Sequence, residues 1–256
     1  MAVRAPDRFL VVPDDGFFDE AVAARYDESD SGMFAAEVVD PTVDFLAEIA
    51  GGGRALELAI GTGRIALPLA ARGVEVHGIE LSNAMVARLR AKPGGADLPI
   101  TIGDFTSARA DGTFALAYLV FNTIQNVTTQ EKQVATFHNV GEHLDPGGCF
   151  VIEVEVPTVR SMPPGERFHV FASEQDHWGI DEYDLESQAA FSHHFELIDG
   201  RWGLSSMPFR YVWPTELDLM AELAGMRLRE RWAGWQREPF TADSRGHVSV
   251  WEKPAG

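Results

Sequence analysis

Two acidic residues flank a glycine-rich turn, and this pattern carries the clearest chemical signal in the chain. Glu57 stands shortly before Gly61 and Gly63, and Glu80 ends the next apolar run. Glycine lets the backbone turn sharply and lets a ligand approach the bare main chain. A carboxylate at the tip of the following strand can accept hydrogen bonds from both hydroxyls of a ribose. These residues predict a site for a nucleotide-like ligand.

The elements that must position these residues form one unit. An apolar run over residues 55–60, helical spacing over 64–72 and a second apolar run over 74–79 predict a strand, a helix and a strand. Such a β-α-β unit brings backbone N–H groups and a helix N-terminus to one edge of a parallel sheet. Pro68 falls in the second helical turn, where a missing amide matters less than in mid-helix.

The residues leave the identity of the cofactor open. Residues 61–66 fit the G-x-G-x-x-A pattern of dinucleotide-binding proteins, and Glu80 is suitably placed for a ribose, so NAD is one interpretation. Glu57 favours S-adenosylmethionine (SAM) instead. Its carboxylate would repel a pyrophosphate, whereas SAM carries an ammonium and a sulfonium and has no phosphate.

Composition narrows the class of protein. The chain has 256 residues, which suits one domain or one domain with a sizeable insertion. Its formal charge is 21 − 39 = −18, which makes nucleic acid and anionic membrane surfaces poor partners. We expect a cytoplasmic protein, because no apolar run could span a bilayer, the N-terminal apolar stretch is too short for a secretory signal, and Cys149 is the single cysteine.

Apolar periodicity predicts the remaining elements of the core. Residues 1–16 are expected to form an irregular arm and residues 28–32 a loop, and the helix over 37–50 is expected to break near Pro41. Ser82 offers an N-cap to the helix that follows it. The predicted helices cover residues 19–26, 37–50, 84–92, 129–144 and 214–224, and the predicted strands cover 99–103, 114–120, 149–156, 226–233 and 247–252.

Alternation with a period of two distinguishes residues 166–213. Asp199–Gly200 predicts a two-residue hairpin turn, with Trp202 facing Leu197 and Leu204 facing Phe195. We expect an antiparallel insertion here, in which Trp178, Trp202 and Trp213 line an apolar substrate pocket or fill the hairpin core.

Four features in order carry a resemblance to a known family. They are the run from Glu57 to Gly63, Glu80 after the second strand, Gly103-Asp104-Phe105 after the third, and the run from Leu144 to Gly148. Together they resemble the class I SAM-dependent methyltransferases, over about residues 46–156. The insertion is similar to that of nucleotide-sugar N-methyltransferases and other small-molecule tailoring enzymes of natural-product pathways. Ala59 stands where many members have glycine.

The resemblance implies an α/β fold with a Rossmann-like, mixed seven-stranded sheet, helices on both faces, and an antiparallel β insertion between strand five and the last helix. It implies an N-terminal helical cap over 1–50, a SAM-binding core over 51–157 and 214–256, and an insertion over 158–213 that covers the substrate or forms a dimer contact.

The resemblance also implies roles for individual residues. Glu57 would help hold the methionine end of SAM, Glu80 would bind the ribose hydroxyls, and Asp104 would accept from the adenine amino group. The alternative for Asp104 is an ordinary turn aspartate. The implied cofactor-binding residues are Tyr26, Met33, Glu57, Gly61, Thr62, Gly63, Arg64, Glu80, Leu81, Met85, Asp104, Phe105, Phe121 and Asn122.

The implied reaction is methyl transfer from SAM to a nitrogen or oxygen atom of a small molecule in secondary metabolism, leaving S-adenosylhomocysteine (SAH). A hydroxyl acceptor usually needs a general base, and His193 and His138 are the candidates, with a structural histidine as the alternative for each. His193 and His194 are adjacent on a strand and point to opposite faces, so no metal site is predicted. A homodimer through the insertion is a further expectation. The rival functions are an NAD-dependent oxidoreductase and a non-catalytic SAM-binding module.

Overall fold

The computed structural model describes residues 17–27, 32–198 and 200–255. The predicted N-terminal arm over 1–16, most of the predicted loop over 28–32, and Asp199 of the predicted hairpin turn lie outside these residues. Within the described ranges, each predicted helix and strand has a counterpart, with ends that differ by a few residues.

Six α-helices lie in the described ranges. They are α1 (Glu20–Tyr26), α2 (Ala36–Ala50), α3 (Ala66–Ala71), α4 (Asn83–Arg90), α5 (Gln130–His143) and α6 (Pro214–Leu223). The side chains of Asp19, Ser82 and Thr129 cap α1, α4 and α5 by accepting a backbone N–H of the first turn. The predicted N-cap at Ser82 is thus confirmed.

Eleven strands form two sheets. They are β1 (Ala55–Leu58), β2 (Val76–Glu80), β3 (Ile100–Ile102), β4 (Phe114–Leu119), β5 (Leu144–Glu155), β6 (Phe168–Ser173), β7 (His177–Tyr183), β8 (Ala189–Ile198), β9 (Arg201–Arg210), β10 (Arg227–Trp232) and β11 (Gly246–Glu252).

The larger sheet has seven strands in the order β10-β11-β5-β4-β1-β2-β3. Its strands are parallel except β11, which is antiparallel to both β5 and β10. The order of the strands reverses between β1 and β4. Ligands bind at the carboxyl edge of such open sheets, at the point where the order reverses.

Helices cover both faces of this sheet, as predicted. Leu116 and Tyr118 of β4 belong to one buried apolar cluster together with residues of α2 and α3. Ala117 and Leu119 belong to a second cluster together with residues of α5 and α6. Because successive side chains of a strand point to opposite faces, this division identifies β4 as a central strand buried on both sides.

One helix departs from its prediction. We expected α2 to break near Pro41, but the helix runs without interruption from Ala36 to Ala50. Pro41 removes one backbone donor, while Val43 and Leu46 on the same helix are fully buried in the core. Burial of this face outweighs the loss of one hydrogen bond.

The second sheet contains β6, β7, β8 and β9 in that order, all antiparallel. It forms the insertion between β5 and α6. The predicted pairs Leu197–Trp202 and Phe195–Leu204 are both observed.

The two faces of the second sheet differ in what they contact. We call the face with Asp181, Tyr183, Ser192 and Met207 the inner face, because Tyr183 is buried against Val159 and Met162, which follow β5 of the core. The other face, which we call the outer face, presents apolar side chains to solvent. Its exposed members include Phe168, Val170, Trp178, Trp202 and Leu204.

Candidate active site

The chain leaves β1 through a turn that requires unusual backbone angles. Ala59, Gly61 and Gly63 have φ angles of +53°, +57° and +81°. Glycine adopts this left-handed region at little cost, whereas a residue with a Cβ is strained there. The turn therefore has glycine at positions 61 and 63 and tolerates a strained alanine at position 59.

Glu80 holds this turn to the end of β2. Its Oε2 accepts a hydrogen bond from the Gly61 amide at 2.8 Å, and its Oε1 accepts one from the Ser82 amide at 2.8 Å. Burial raises the pKa of the Glu80 carboxyl, and the amides oppose that effect. Each carboxylate oxygen can accept more than one hydrogen bond, so the side chain keeps acceptor capacity for a ligand.

Glu57 lies beneath the turn and is almost fully buried, with 3% of its surface exposed. Its Oε2 accepts a hydrogen bond from the Tyr118 hydroxyl at 2.9 Å. Burial raises the pKa of Glu57 to about 8, although Tyr118, Arg64 and the Ala66 amide act to lower it. A nearby cationic group stabilises the ionised form of a buried carboxyl whose pKa is raised. SAM carries two cationic groups, an ammonium and a sulfonium.

The N-terminal segment packs over the turn. The Tyr26 ring meets the rings of Phe18 and Phe34 edge-on, with centroids 6.0 and 6.2 Å apart. Burial raises the pKa of the Tyr26 hydroxyl, with Arg64 lowering it and Glu80 raising it further. The phenol is thus close to the charged groups that surround the glycine turn.

Arg64 joins the same group of residues. Its Nη1 donates to the Met33 carbonyl at 3.0 Å, and its guanidinium lies 5.0 Å from the centre of the Phe121 ring. The structure therefore brings together Tyr26, Met33, Arg64 and Phe121, four residues that come from three distant parts of the chain.

Two residues that sequence reasoning missed fasten this segment. Asp27 accepts from Thr62 Oγ1 at 2.6 Å through Oδ1 and pairs with Lys92 Nζ at 2.6 Å through Oδ2. Lys92 Nζ also donates to the Thr62 carbonyl at 2.8 Å. Thr62 thus owes its place at the turn to a network that no local pattern signals.

An open cleft lies beside Glu80, at the carboxyl edge of the large sheet. Its volume is about 820 Å³, including the open space at its mouth. Among the predicted residues Glu80, Leu81, Asp104 and Phe105 line it, and Met85 lies next to the turn with its Cε 3.5 Å from the position of a Cβ on Gly61. The cleft is also lined by Phe17, Phe18, Ala59, Thr106, Thr123, Asn126, Val127, Thr128, Lys132, Met207 and Pro208.

Asp104 is firmly positioned at the far end of the cleft. Its Oδ1 accepts from the Thr106 amide at 2.9 Å, and its Oδ2 lies 3.2 Å from Lys132 Nζ. Burial acts to raise the pKa of Asp104, but Thr106 and Lys132 outweigh it and hold that pKa below its usual value. The carboxylate is ionised near neutral pH and can accept a donor such as an amino group. Lys132 is a third residue that the sequence did not reveal.

Backbone strain concentrates at the end of β4. Phe121 and Asn122 both have φ angles of +58°, a conformation that costs about 1 kcal/mol or more per non-glycine residue. Asn122 Oδ1 accepts from the Glu155 amide at 2.7 Å, and the Phe121 amide donates to Glu153 Oε2 at 3.0 Å. The Asn122 oxygen thus holds the end of β5, while the Phe121 ring is about half exposed.

Neither predicted catalytic histidine reaches the cleft. His193 lies on the outer face of the second sheet, where it hydrogen-bonds Ser206 and sits near Glu182. His138 is exposed on α5 and is absent from the cleft lining. The structure does not bring His193 to the cleft, because the aromatic face of the hairpin is the face directed away from the core. His138 lies at one of the solvent-exposed positions of α5.

The predicted tryptophan pocket is also corrected. Trp178 and Trp202 are 46% and 53% exposed on the outer face, so they neither line the cleft nor fill a core. Trp213 packs instead at the edge of the small cluster around Tyr183.

Within the described ranges, no group of three or more His, Cys, Asp and Glu side chains is placed to hold a metal ion.

Comparisons with known proteins identify the family. A family profile for a methyltransferase domain matches residues 55–148. The CcbJ methyltransferase from Streptomyces caelestis is 33% identical, with a TM-score of 0.83 over 95% of this chain and 100% of that one. The cypemycin N-terminal methyltransferase from a Streptomyces species is 24% identical over 248 residues, covering 94% of this chain and 99% of that one.

A further solved structure agrees in fold. It is SAM-bound CalS10, an amino pentose methyltransferase from Micromonospora echinaspora, at 20% identity and a TM-score of 0.66 over 93% of this chain and 98% of that one. Among the described residues, no helix is both long and apolar enough to cross a membrane. The cofactor is SAM and not NAD, and the chain belongs to the class I SAM-dependent methyltransferases.

Proposed function

We propose that this enzyme transfers the methyl group of SAM to a nitrogen or oxygen atom of a small molecule of natural-product type. The observation that carries the proposal is the covering of the cleft on two sides. Met207 and Pro208 of the second sheet border it on one side, and Phe17 and Phe18 of the N-terminal segment border it on another. A cleft bordered on two sides in this way suits a compact acceptor better than a macromolecule.

In this proposal the cofactor lies along the carboxyl edge of the large sheet. SAM supplies an electrophilic methyl group on a sulfonium. Glu80 accepts the ribose hydroxyls, while Asp104 accepts the adenine amino group and Phe105 packs on the base. The glycine turn offers backbone N–H groups to the methionine end. Around that end we place Tyr26, Met33, Thr62, Arg64, Leu81, Met85 and Phe121, with Glu57 beneath the turn.

The protein's own contribution is to align the acceptor and to exclude water. Reactions of this kind gain most from holding the two reacting atoms in line. Phe121 stands at the end of β4 with an exposed ring, and we assign it to the wall beside the transferable methyl group. Asn122 acts indirectly, because its side chain fixes the end of β5.

We propose distinct tasks for the parts outside the core. The segment over 1–50 caps the cofactor, and the insertion over 158–213 covers the substrate through its inner face. The outer face forms a homodimer contact, because β7 and β9, on either side of β8, place exposed Trp178, Trp202 and Leu204 on the same surface. Contiguous exposed apolar surface of this kind marks interaction sites, and an identical partner gives the simplest closed assembly.

Methyl transfer to a library of small molecules tests the proposal. The purified enzyme is incubated with SAM and with matched amines and alcohols, and products are followed by mass spectrometry. We expect a mass gain of one methylene unit on an N- or O-nucleophile, with SAH formed in equal amount. Normal SAH binding without any methylated product would contradict the proposal and favour a non-catalytic binding module.

A further inference from the structure

A group of titratable side chains lies between the two sheets and takes no part in the proposed cofactor contacts. Glu155 stands at the end of β5, and Asp181 faces it from the inner face of the second sheet. The two carboxyls are close enough that the charge of Asp181 adds to the effect of burial in raising the pKa of Glu155. Burial likewise raises the pKa of Asp181.

The surroundings of this pair contain few charged partners. Tyr183 donates its hydroxyl to Asp181 Oδ2 at 3.1 Å, and the nearby Ser192 hydroxyl lowers the pKa of the same carboxyl. His169 and His194, from β6 and β8, are the basic groups that act on it, and they lower its pKa. Within the described ranges, neither Glu155 nor Asp181 forms an ion pair with a lysine or arginine. Both residues are partly buried, and two neighbouring carboxyls that are partly removed from water are costly without a matching cation, which a ligand could supply.

A buried amide points to the same place. Gln125 has only 4% of its surface exposed, and its carboxamide lies beside Glu155 and lowers the pKa of that carboxyl. Its Nε2 nevertheless completes no hydrogen bond of ordinary geometry with any described residue. A buried polar group in this condition calls for an explanation, and a ligand that is not present in the structure is one.

The group is connected to the cleft. The short 3-10 helix Thr123–Asn126 contributes Thr123 and Asn126 to the cleft lining, and Gln125 to the surroundings of Glu155. The Glu155 amide is bound by Asn122, which directly follows Phe121. Glu155, Asp181 and Gln125 do not line the cleft themselves, but Gln125 lies on the same short helix as two residues that do.

We propose that Glu155, Asp181 and Gln125 form a subsite that binds the acceptor as an amine and takes up its proton before methyl transfer. The proposal rests on the proposed function and narrows its acceptor from nitrogen or oxygen to nitrogen. An ammonium supplies the cation that the paired carboxyls lack, and Gln125 Nε2 is free to donate to a second polar atom of the substrate.

In the proton transfer one N–H bond of the substrate breaks and one O–H bond of the enzyme forms. An amine arrives as an ammonium at neutral pH, and its nitrogen cannot attack until one N–H bond breaks. The proton moves to a carboxylate oxygen of Glu155, where an O–H bond forms, and the nitrogen keeps the electron pair. Asp181 is held by the Tyr183 hydroxyl and remains the fixed negative charge that positions the nitrogen.

Matched fragments test this subsite without requiring turnover. Cyclohexylamine and cyclohexanol, and pyrrolidine and tetrahydrofuran, differ only in the nitrogen or oxygen. Their binding to the SAH-loaded enzyme is measured by ligand-observed NMR. Wild type is compared with Glu155→Gln and Asp181→Asn, and with Glu182→Gln as the matched control, because Glu182 neighbours Asp181 but lies on the outer face.

We expect the two amines to bind the wild type and the control, and to bind each of the two subsite variants about tenfold more weakly or worse, as for a lost charged hydrogen bond. Amines that bind no better than the oxygen compounds, or that bind the variants unchanged, would overturn the subsite. SAH affinity, measured in parallel, should stay within about twofold in every variant, because the subsite does not touch the cofactor.

Turnover separates this inference from the proposed function. Methylation of alcohols and not of amines would leave the proposed function standing and overturn the amine subsite. Amine binding that depends on Glu155 and Asp181, without methylation of any nitrogen or oxygen, would leave the subsite standing and contradict the proposed function.

Discussion

Glu80 and Gly61 are joined by a hydrogen bond of 2.8 Å between the carboxylate Oε2 and the backbone amide. This contact ties the end of β2 to the turn that leaves β1, and Glu80 Oε1 is held in the same way by the Ser82 amide. The carboxylate is therefore fixed before any ligand arrives. Preorganisation of this kind reduces the ordering cost of binding. Glu80 therefore has a structural role in the turn, and its proposed role is to bind the ribose of the cofactor as well.

Ala59→Gly should stabilise the enzyme. Ala59 has a φ of +53°, which costs a residue with a Cβ about 1–2 kcal/mol, while glycine loses roughly 0.5–1 kcal/mol in extra chain entropy. We expect a net gain of about 0.5–1 kcal/mol in the free energy of unfolding, measured by urea denaturation. The control Ala70→Gly, within helix α3, should destabilise by a similar amount. A lower free energy of unfolding in Ala59→Gly would show that Ala59 is not strained in this turn.

The stability of the ligand-free enzyme should depend on pH through Glu57. Its pKa is about 8 in the folded chain and near 4.5 when exposed, so the folded state binds the additional proton between these values. The free energy of unfolding should therefore fall as pH rises from about 4.5 to about 8, by at most about 1.4 kcal/mol per pH unit.

Glu57→Gln removes this effect, because glutamine has no proton to lose and still accepts from Tyr118. The free energy of unfolding of the variant, measured by urea denaturation at each pH, should rise steadily relative to that of the wild type from pH 5 to pH 8. Parallel curves for the two proteins would show that Glu57 does not titrate in this range. The variant should also bind SAH more weakly at pH 8, where its missing charge matters most.

Asp27→Ala should loosen the segment that covers the turn. Asp27 binds both Thr62 and Lys92, and loss of one charged hydrogen bond typically costs about 1.5–3 kcal/mol. Because both partners are partly exposed, we expect the lower end of this range, as weaker SAH affinity in calorimetry and faster proteolysis near Tyr26. The control Asp19→Ala removes a helix cap outside this network. Unchanged SAH affinity in Asp27→Ala would show that this segment does not contribute to cofactor binding.

Leu204→Glu and Trp202→Glu should disrupt self-association. Both side chains are more than half exposed on the outer face of the second sheet, and a charge at each equivalent position would be repelled across a symmetric interface. Analytical ultracentrifugation should give a dimer for the wild type and a monomer for the variants. The exposed Leu219→Glu on α6 serves as control. A monomeric wild type would contradict the dimer.

Local sequence patterns predicted most of the fold. Strands such as Phe114–Leu119 are unbroken apolar runs, and capping residues such as Ser82 act on the next turn of their own helix. These signals depend on neighbours in the sequence, so periodicity and capping rules detect them. The same holds for the glycine turn and Glu80.

Contacts between distant segments were not predictable in this way. Asp27 meets Lys92, and Lys132 meets Asp104, only because the fold brings them together. His193 was misplaced for a related reason. Alternation groups it correctly with Phe195, but alternation does not say which face of a sheet meets the core. Here the face richer in polar side chains turns inward, towards the cleft, and the more apolar face is exposed.

The affinity of Glu80→Gln for SAH tests the central claim most directly. Calorimetry compares the wild type, Glu80→Gln and the control Asp97→Asn, an exposed acid outside the cleft. We predict that Glu80→Gln binds SAH at least about tenfold more weakly, as for loss of a charged hydrogen bond, and that the control binds as the wild type does. Equal affinity in all three proteins would contradict a cofactor site built around Glu80.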